Sequence, residues 1–500
     1  MGLTLCMIVK NEALNLTACV KSVLPIVDDI VIVDTGSSDG TPELAGRLGA
    51  RVYNFKWIDD FSAARNKALE YVKTEWVLIL DGDEMIAEKD HAAIVEFTRE
   101  DKVDGYLLSQ RHYLDGAGYD NWKPVTGRYP EMEGRFPAYT ENFAMRLFRR
   151  RPDIVYQGRV HESVTHADPA NRWVVVKTQI VIHHFGKVGD RALLEGKKRA
   201  YLKLCKLKAG ERPADPKAWF ELGIQLHELG NFEECLAPFK KSLELNPADS
   251  NPAYYIGNAS YKLEKFPQAR EYLEKALKLD PQNADALVNL AGVERREGDV
   301  EKALYLFDRA IAVQKNIFSA WYNKAALLLS EGRNEEAGPC FDEALRLVPG
   351  YTYALFGQWQ NEVLLGKRGQ AADMMLQWLK EKPELGHMVI TATQNHLGRR
   401  DYQTAVESLK PLVDVIDSSD GYAALGAGLL GLGQTGTAER SLERAIAMDK
   451  RNNSARVNLA QLKELEQGGK KAAIALYRDA LLYDPDNELC RKRLSCLRSV

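Results

Sequence analysis

Several kinds of sequence pattern are missing from this chain of 500 residues, and each absence excludes a class of protein. No run of about 18 consecutive apolar residues is present, which excludes a membrane-spanning helix. The seven cysteines form no CxxC pair, which argues against a zinc site or a disulfide framework and predicts reduced, mostly buried thiols. The start, MGLTLCMIVKNEALNL, lacks the regions of a secretory signal, so we expect a cytoplasmic protein.

An excess of charge of either sign is also missing. The chain has 67 basic and 70 acidic residues, a net charge of −3, which leaves no global cationic field to attract nucleic acid or an anionic membrane. Hydrophobic residues make up 45% and charged residues 27% of the chain, a balance typical of globular proteins. The length predicts at least two independently packed units, at roughly 100–200 residues each.

Strands and helices alternate in the first part of the chain, residues 3–186. Short apolar runs such as LTLCMIV, DIVIVD and RVYNF are separated by stretches with helical period, among them residues 14–24 and 62–73. This order predicts a parallel α/β sheet. The run WVLILDGDE is too continuous for an edge strand, so we interpret it as a buried strand with chemistry at its carboxyl end.

The part after about residue 213 repeats with a period of 34 residues. The recurring small and bulky residues are Ala269, Leu273 and Ala276, then Ala303, Phe307 and Ala310, then Ala337, Phe341 and Ala344, with prolines on the same spacing at Pro247, Pro281, Pro349 and Pro383. This period predicts about eight tetratricopeptide repeats, the fifth and sixth degraded, stacked as a superhelix with a concave surface. Another stack of amphipathic helices is the alternative.

Two polar clusters follow predicted strands: DTGSSDGT at residues 34–41 and DGDE at residues 81–84. A carboxylate such as Asp34 at a strand end can accept from a nucleobase or ribose, and Gly36 and Gly40 permit a tight turn. Acids flanking a glycine can hold Mg²⁺ or Mn²⁺, which then bridges two phosphates of a bound nucleotide. A solvated acidic turn is the alternative for DGD.

Four segments, TLCMIVKNE, DIVIVDTGSSDGT, FSAARNKALE and WVLILDGDE, resemble the family 2 glycosyltransferases with the GT-A fold. Within that family, MIVKNE and VDTGSSDGT followed by repeats are similar to the branch that contains the sublancin-type peptide S-glycosyltransferase. The repeats are similar to those of O-GlcNAc transferase. The resemblance implies an α/β GT-A catalytic domain with a Rossmann-like mixed sheet, followed by an all-α tetratricopeptide solenoid, in a bacterial cytoplasm.

The expected boundaries follow from these patterns. We predict the GT-A domain at residues 1–190, a helical linker at 191–212, the repeats at 213–485 and a capping helix at 486–500. The cationic carboxyl end is interpreted as that solvated cap, with a nucleic-acid tail as the alternative.

The resemblance also implies a donor site for a UDP-sugar. Its residues would be Val9, Lys10 and Glu12 lining the nucleotide pocket, Asp34 on the uridine, Asp81 and Gly82 against the ribose and phosphates, Asp83 on the metal, and Arg65 near the donor. For Arg65 the alternative is an ordinary exposed position on a helix. Many family members have a second acid where this chain has Thr35, which leaves the identity of the base open.

On the acceptor side, residues 146–149 and 158–162 resemble the family's second subdomain. An inverting transfer needs one carboxylate to deprotonate the nucleophile, and we predict Glu162 in this role with His161 beside it. The alternative carboxylates are Asp120, Glu131, Glu133 and Glu141. The HxG-like end of VIHHFG implies a metal-binding histidine; His184 holds that register, His183 is the second candidate, and a structural pair is the alternative.

Residues 105–137 are rich in Tyr, Trp, Arg and Gly without a helical period, which predicts an irregular active-site lid. Its aromatic residues Tyr119, Trp122 and Tyr129 either stack on sugar or acceptor or anchor the loop. Asn289, Asn323 and Asn458 share one repeat position, which in O-GlcNAc transferase faces the groove and binds polypeptide backbone. A structural role for these asparagines is the alternative.

We therefore predict an inverting, metal-dependent glycosyltransferase (EC 2.4) that moves a hexose or N-acetylhexosamine from a UDP-sugar to Ser, Thr or Cys of a polypeptide held by the repeats. One alternative is transfer to a lipopolysaccharide or other glycan, against which the lack of a membrane-binding stretch counts. A repeat scaffold with an inactive transferase domain is the other.

Overall fold

The computed structural model describes residues 2–114, 122–125, 127–134, 136–166, 173–186 and 191–498. The chain divides into two units, residues 1–315 and 316–500. The described strands all lie in the first unit: β1 Leu3–Val9, β2 Asp29–Asp34, β3 Arg51–Asn54, β4 Trp76–Ile79, β5 Glu84–Ile86, β6 Gly105–Leu114, β7 Lys123–Pro124, β8 Ala138–Arg149, β9 Ile154–Gln157, β10 Ser163–His166 and β11 Val175–His184.

The helices of the first unit fall into two groups, five among the strands and seven after them. They are α1 Leu16–Val23, α2 Thr41–Arg47, α3 Phe61–Tyr71, α4 His91–Phe97 and α5 Pro130–Glu133, then α6 Arg191–Glu211, α7 Pro216–Glu228, α8 Phe232–Leu245, α9 Ser250–Lys262, α10 Phe266–Leu279, α11 Ala284–Arg296 and α12 Val300–Val313. Two short 3₁₀ helices, Leu24–Ile26 and Glu88–Asp90, precede β2 and α4.

A mixed sheet with the order β3-β2-β1-β4-β8-β6-β11-β5 forms the centre of the strand-containing part, and β7 pairs with β8. Neighbours among β3, β2, β1 and β4 are parallel, so the carboxyl ends of β1, β2 and β4 meet at one edge. Helices α1, α2 and α4 pack on one face and α3 on the other, which explains the continuous apolar runs of the central strands. The predicted α/β domain with a mixed sheet is confirmed.

The second half of the sheet corrects one prediction. Residues 105–137 were expected to form an irregular lid, but the first ten of them are strand β6, which lies between β8 and β11. The strand signal is hidden because a run of polar residues, 109–112, interrupts the apolar ones. Within that run the buried Gln110 and Arg111 bond to Glu84 on β5 and to Glu133 on α5. Tyr119 and Asp120 lie outside the described residues.

In the second unit the described elements are all helical. They are α13 Phe318–Ser330, α14 Asn334–Leu347, α15 Thr352–Leu364, α16 Arg368–Leu379, α17 Leu385–Gly398, α18 Tyr402–Leu409, α19 Val413–Ile416, α20 Ser419–Gly431, α21 Thr435–Met448, α22 Asn453–Leu465, α23 Lys470–Tyr483 and α24 Glu488–Arg498. The last helix packs on α23 through Cys490 and Leu494, and its role as a cap stays a prediction.

Eight helix pairs begin with α7, α9, α11, α13, α15, α17, α20 and α22, which confirms the predicted repeats. Asp215, Asp249, Asn283 and Asn452 cap first helices by accepting from backbone N–H groups. The recurring small and bulky residues are the buried contacts between paired helices: Ala269, Leu273 and Ala276 are fully buried. The prolines follow the ends of second helices, where no helical hydrogen bond is lost.

The turn between the two helices of each pair needs a residue with positive φ. Glycine supplies it at Gly230, Gly298, Gly332, Gly366, Gly433 and Gly468, and Glu264 and Arg400 adopt the same conformation in the remaining pairs. In the sixth pair the second helix is interrupted, because Pro411 separates α18 from α19. The predicted degradation of the sixth repeat therefore has a structural counterpart, whereas the fifth pair is regular.

The seven cysteines all lie in the described ranges, form no disulfide there, and six of them are buried, as predicted. None of the helices in the described ranges combines the length and the apolar character that crossing a bilayer requires. The boundaries between catalytic domain, linker, repeats and cap, placed at residues 190, 212 and 485, remain predictions.

Helix packing in the repeats yields a stability prediction at Gly257 in α9. A Cβ there would lie 2.6 Å from Leu273 Cγ, and Leu273 is buried on α10. We expect Gly257→Ala to lower the free energy of unfolding by about 1–3 kcal/mol through overpacking, measured by urea denaturation. Gly210→Ala in α6 is the matched control, since no heavy atom lies within 4 Å of its Cβ. Equal effects in both variants would contradict the packing argument.

Candidate functional site

The loops that follow β1 and β2 are bonded to each other. Asn11 N–H donates to Ser37 Oγ at 2.9 Å, and Asn11 Oδ1 accepts from Ser38 N–H at 2.8 Å. Glu12 N–H donates to Thr41 Oγ1 at 2.9 Å. The two loops therefore form one edge of a cleft at the carboxyl ends of the parallel strands, where α/β proteins bind their ligands.

Asp34 organises the second of these loops. Its Oδ2 accepts from the N–H groups of Gly36 and Ser37, each at 3.0 Å, and its Oδ1 accepts from the Ser37 hydroxyl. Gly36 has a φ of 105°, which a side chain disfavours. The carboxylate thus holds the turn that the sequence predicted, while its contact with a uridine stays a prediction.

The predicted pocket residues of the first loop differ in exposure. The Val9 carbonyl accepts from the N–H and the hydroxyl of Thr35, at 3.0 and 3.1 Å, and Lys10 is exposed. The side chain of Glu12 packs against Gly82, where a Cβ would lie 2.6 Å from Glu12 Cγ. Gly82 is therefore required for the close approach of the two loops.

Two arginines converge on Asp81. Arg65 Nη2 lies 2.7 Å from Asp81 Oδ1, and Arg146 Nη2 lies 3.1 Å from Asp81 Oδ2. Burial alone would raise the pKa of this carboxyl, but the guanidinium groups of Arg146 and Arg65 hold the pKa of Asp81 well below its usual range. Arg146 also pairs with the fully buried Glu84 at 3.2 Å. Arg65, predicted to lie near the donor, is part of this network rather than an exposed helix residue.

Glu162 is the second carboxylate that Arg65 contacts. Arg65 Nε lies 2.5 Å from Glu162 Oε1, and no described residue hydrogen-bonds to Glu162 Oε2. Arg65 therefore connects Glu162, the predicted base, to Asp81. Asn66, next to Arg65, instead bonds the backbone of Tyr156 in both directions, at 2.9 and 2.7 Å, and so fixes β9 against α3.

Asp83 and His184 meet because β5 and β11 are paired. The antiparallel register sets His184 opposite Glu84, so that His184 Nε2 lies 3.3 Å from Asp83 Oδ1. Burial would lower the pKa of His184, but the hydrogen bond with the Asp83 carboxylate raises it. A Cβ on Gly186 would clash with Asp83 Oδ2 and lie 2.8 Å from His184 Nε2. The glycine of the HxG-like segment keeps this space open.

His183 points to the other face of the sheet. It is fully buried, bonds the Tyr113 hydroxyl at 2.7 Å through Nδ1, and lies edge-on to Tyr129. Burial, with Arg111 and Lys89 nearby, lowers its pKa to about 3. Of the two candidate histidines, only His184 reaches Asp83.

The chemistry of Asp83 and His184 is compatible with a divalent cation, which stays a prediction. One carboxylate and one imidazole suit Mg²⁺ or Mn²⁺ when substrate phosphates and water supply the remaining ligands. In the described part of the chain, no group of three or more His, Cys, Asp and Glu side chains could hold a metal by itself. Lys197 on α6 lies 3.8 Å from Glu12 Oε1 and 4.0 Å from Asp83 Oδ2, which adds positive charge to this part of the cleft.

The loop at residues 158–162 is held by α6 and α7. Lys208 Nζ donates to Val160 O at 2.9 Å and pairs with Glu221 Oε2 at 2.6 Å; Lys208 is 4% and Glu221 8% exposed. His161 has a φ of 49°, and burial lowers its pKa. The residues predicted as a linker therefore form part of the wall beside Glu162.

The alternative carboxylates lie in other surroundings. Glu133 is buried and pairs with Arg111 at 3.2 Å, and Glu141 pairs with Lys123 at 2.8 Å. Glu131 is exposed on the four-residue helix α5. Tyr129 is fully buried, and its hydroxyl bonds Asp90 at 3.1 Å, which supports the anchoring interpretation for this ring. Trp122 is half-buried.

Asn289, Asn323 and Asn458 each occupy the sixth residue of a first repeat helix. All three are half-buried, and none of their amides bonds another residue within the described ranges. Their equivalent placement is confirmed, and their contact with a polypeptide stays a prediction.

Sequence reasoning missed several members of the site, notably Glu84, His112, Lys197, Lys208 and Glu221. No motif marks these residues, because each of them contacts a residue that is 13 or more positions away in the chain, as Lys208 and Glu221 do. The only available signal was the charge of Glu84 directly after a buried strand, within the DGDE segment.

Comparison with known proteins matches both parts of the chain. Residues 4–156 match the model of glycosyl transferase family 2, and residues 216–249, 254–317, 306–352 and 423–488 match tetratricopeptide repeat models. A tetratricopeptide repeat-containing protein of Synechococcus elongatus is 31% identical over 247 residues, which cover 48% of this chain and 56% of that protein. The SPbeta prophage-derived glycosyltransferase SunS of Bacillus subtilis is 27% identical over 241 residues, 47% of this chain and 52% of that protein.

The chain thus spans about half the length of the curated relatives it matches. Among solved structures, the crystal structure of MamA protein matches with 20% identity and a TM-score of 0.31, covering 33% of this chain and 91% of that one.

The buried pair of Lys208 and Glu221 generates a prediction. Lys208→Met leaves the Glu221 carboxylate buried beside only the mostly exposed Lys217, 3.9 Å away, and we expect a loss of about 3–5 kcal/mol in the free energy of unfolding. The double variant Lys208→Met/Glu221→Leu removes both charges and is expected to regain most of that loss. Urea denaturation measures both. A double variant as unstable as the single one would show that the charge pair is not the cause.

Proposed function

We propose that this chain, whose amino-terminal domain belongs to glycosyl transferase family 2 and is followed by tetratricopeptide repeats, is an inverting, metal-dependent glycosyltransferase. The proposed donor is a UDP-sugar carrying a hexose or N-acetylhexosamine, and the proposed acceptor is a Ser, Thr or Cys side chain of a polypeptide. The meeting of Asp83 with His184 beside Asp81 is the observation that supports it best.

The donor end of the cleft is formed by the loops after β1, β2 and β4. In this proposal Asp83 and His184 hold Mg²⁺ or Mn²⁺, which supplies positive charge to the departing diphosphate. Asp34 and the loop it organises receive the uridine, and Gly82 lets Glu12 lie close to the phosphates. Lys197 adds a second positive charge on the same side.

Glu162 is the proposed base. Arg65 fixes Glu162 Oε1 and leaves Oε2 able to accept the proton of the acceptor hydroxyl or thiol. Because Arg65 also pairs with Asp81, the base and the donor loop keep a constant separation. Attack from the face opposite the diphosphate inverts the anomeric carbon in one displacement. His161, beside Glu162, is proposed to shape the acceptor entrance, where its ring lies 6.0 Å from that of Tyr201.

The polypeptide acceptor is proposed from the repeats. Amides at one repeat position, Asn289 in the first unit and Asn323 and Asn458 in the second, can each donate to and accept from a polypeptide backbone. A bacterial cytoplasmic location belongs to the same proposal.

Nucleotide release tests the catalytic part. Purified protein is incubated with a panel of UDP-, GDP- and dTDP-sugars with and without Mn²⁺, and free nucleotide is measured. We expect Mn²⁺-dependent release of UDP. Absence of release from every donor would favour a scaffold with an inactive domain. Intact-mass analysis of polypeptides encoded beside the gene, incubated with mixed donors, then tests the acceptor.

Gly186→Ala tests the metal pocket without removing a ligand. The added methyl group clashes with Asp83 Oδ2 and crowds His184, so we expect loss of Mn²⁺-dependent turnover similar to that of Asp83→Ala, which should abolish it. Gly196→Ala on α6 is the matched control, since no heavy atom lies within 4 Å of its Cβ. Full turnover by Gly186→Ala would exclude a metal at this position.

Glu162→Gln separates donor binding from transfer. The amide keeps the shape of the side chain but cannot take a proton, so we expect unchanged UDP affinity and a loss of transfer of about 10²–10⁴-fold. Isothermal titration with UDP and a transfer assay measure the two effects. Transfer at the wild-type rate would assign the role of base to another carboxylate.

A further inference from the structure

A line of hydrogen bonds leads away from His184 across one face of the sheet. His184 Nδ1 lies 2.6 Å from His112 Nδ1, and His112 Nε2 lies 2.7 Å from Asn142 Oδ1. Asn142 Nδ2 donates to Gln110 Oε1 at 3.2 Å, and Gln110 Nε2 donates to Glu84 Oε1. Three side chains, those of His112, Asn142 and Gln110, therefore connect the proposed metal ligand to the buried Glu84.

The strand register explains why these side chains share a face. His184 pairs with His112 across β11 and β6, and Gln110 pairs with Asn142 across β6 and β8. Residues directly opposite each other in neighbouring strands project to the same side, as do residues two apart in one strand. His183 and Tyr113 project to the opposite face, where they hydrogen-bond to each other.

Glu84 sets the direction of every bond in this line. Its Oε2 accepts from the Asp81 N–H at 2.7 Å, and its Oε1 accepts from Arg146 at 3.2 Å as well as from Gln110. A carboxylate surrounded by three donors only accepts. Gln110 must therefore turn its NH₂ group to Glu84, since its carbonyl oxygen would be repelled there.

The remaining orientations follow one after another. Gln110 offers its oxygen to the Asn142 NH₂ group, so Asn142 turns its oxygen to His112. His112 consequently has its proton on Nε2, which leaves Nδ1 as an acceptor. His184 then donates from Nδ1, which leaves Nε2, 3.3 Å from Asp83 Oδ1, as the nitrogen that can bind a cation held between the two side chains.

We infer that His112 is a positioning residue, which holds His184 in the tautomer and orientation needed to bind a divalent cation through Nε2. The inference rests on the proposed function, since it concerns the same metal site. Partners that accept the second N–H of a metal-binding histidine generally raise metal affinity, and their loss typically weakens it by about 10- to 100-fold. Here the partner is a second histidine, itself oriented by a carboxylate three side chains away.

Substitutions at His112 test the inference in the full-length chain, with Mn²⁺ as the probe and UDP present. His112→Phe keeps a ring but removes the acceptor nitrogen, and we expect Mn²⁺ affinity to fall by about 10- to 100-fold. His112→Asn returns an acceptor oxygen near the position of Nδ1 and is expected to restore most of the affinity. Electron paramagnetic resonance of free Mn²⁺ gives both values.

Two further variants complete the series. His387→Phe, at an exposed position in the helical array, is the control and should bind Mn²⁺ as the wild type does. Asn142→Leu removes the acceptor that orients His112, and we expect a smaller loss in the same direction, because Asn142 is exposed and water can replace its oxygen. Circular dichroism confirms that each variant is folded, and UDP binding in EDTA should not change.

The outcomes separate the two proposals. If the wild type binds no Mn²⁺ with UDP present, the metal-dependent function fails and the inference fails with it. If the wild type binds Mn²⁺ and His112→Phe binds it equally well, only the inference is overturned. Equal weakening by His112→Phe and His112→Asn would also overturn it, since the shape of the ring rather than its acceptor nitrogen would then be responsible.

Discussion

The buried guanidinium of Arg65 is the contact on which the cleft depends. It lies on α3 and joins the loop after β4 to the loop after β9 by pairing with Asp81 and Glu162. Removing such a cation from water is costly, and the cost is offset only because carboxylates meet it on two sides. The two loops are far apart in the chain, and this one side chain is bonded to both of them. Arg146 repeats the arrangement between Asp81 and Glu84, and the two arginines together keep three carboxylates in a small volume.

The fold could be predicted largely from the sequence because its signals are local. The strand ends at Asp34 and Asp81 are marked by the residues next to them, and each repeat is marked by residues within a single pair of helices. The combination of a family 2 domain with repeats is confirmed. Strand β6 was missed because its polar residues bond to residues on other elements, 22 or more positions away in the chain. Such contacts form only in the folded chain, and no short stretch of the sequence contains both the β6 residue and its partner.

The candidate site shows the same division. Asp83 and His184 were predicted from motifs, and the register of β5 with β11 explains why His184 rather than His183 lies beside Asp83. The contacts that support them, from Lys208 to Val160 O and from His112 to His184, connect segments 48 and 72 residues apart. Motifs identify the groups that could meet substrate, whereas the groups that orient them are ordinary residues whose importance comes only from position.

The Lys208 contact also limits where the protein can be divided. A fragment that ends between α6 and α7 would keep the lysine beneath the loop at residues 158–162 and discard Glu221, exposing a hydrophobic helix face together with an unmatched ammonium group. The smallest catalytic fragment that keeps this ion pair must therefore include α7, the first helix of the repeats. A chimaera that replaces the repeat array would have to begin the new helices after α8, so that α7 and α8 stay with the sheet.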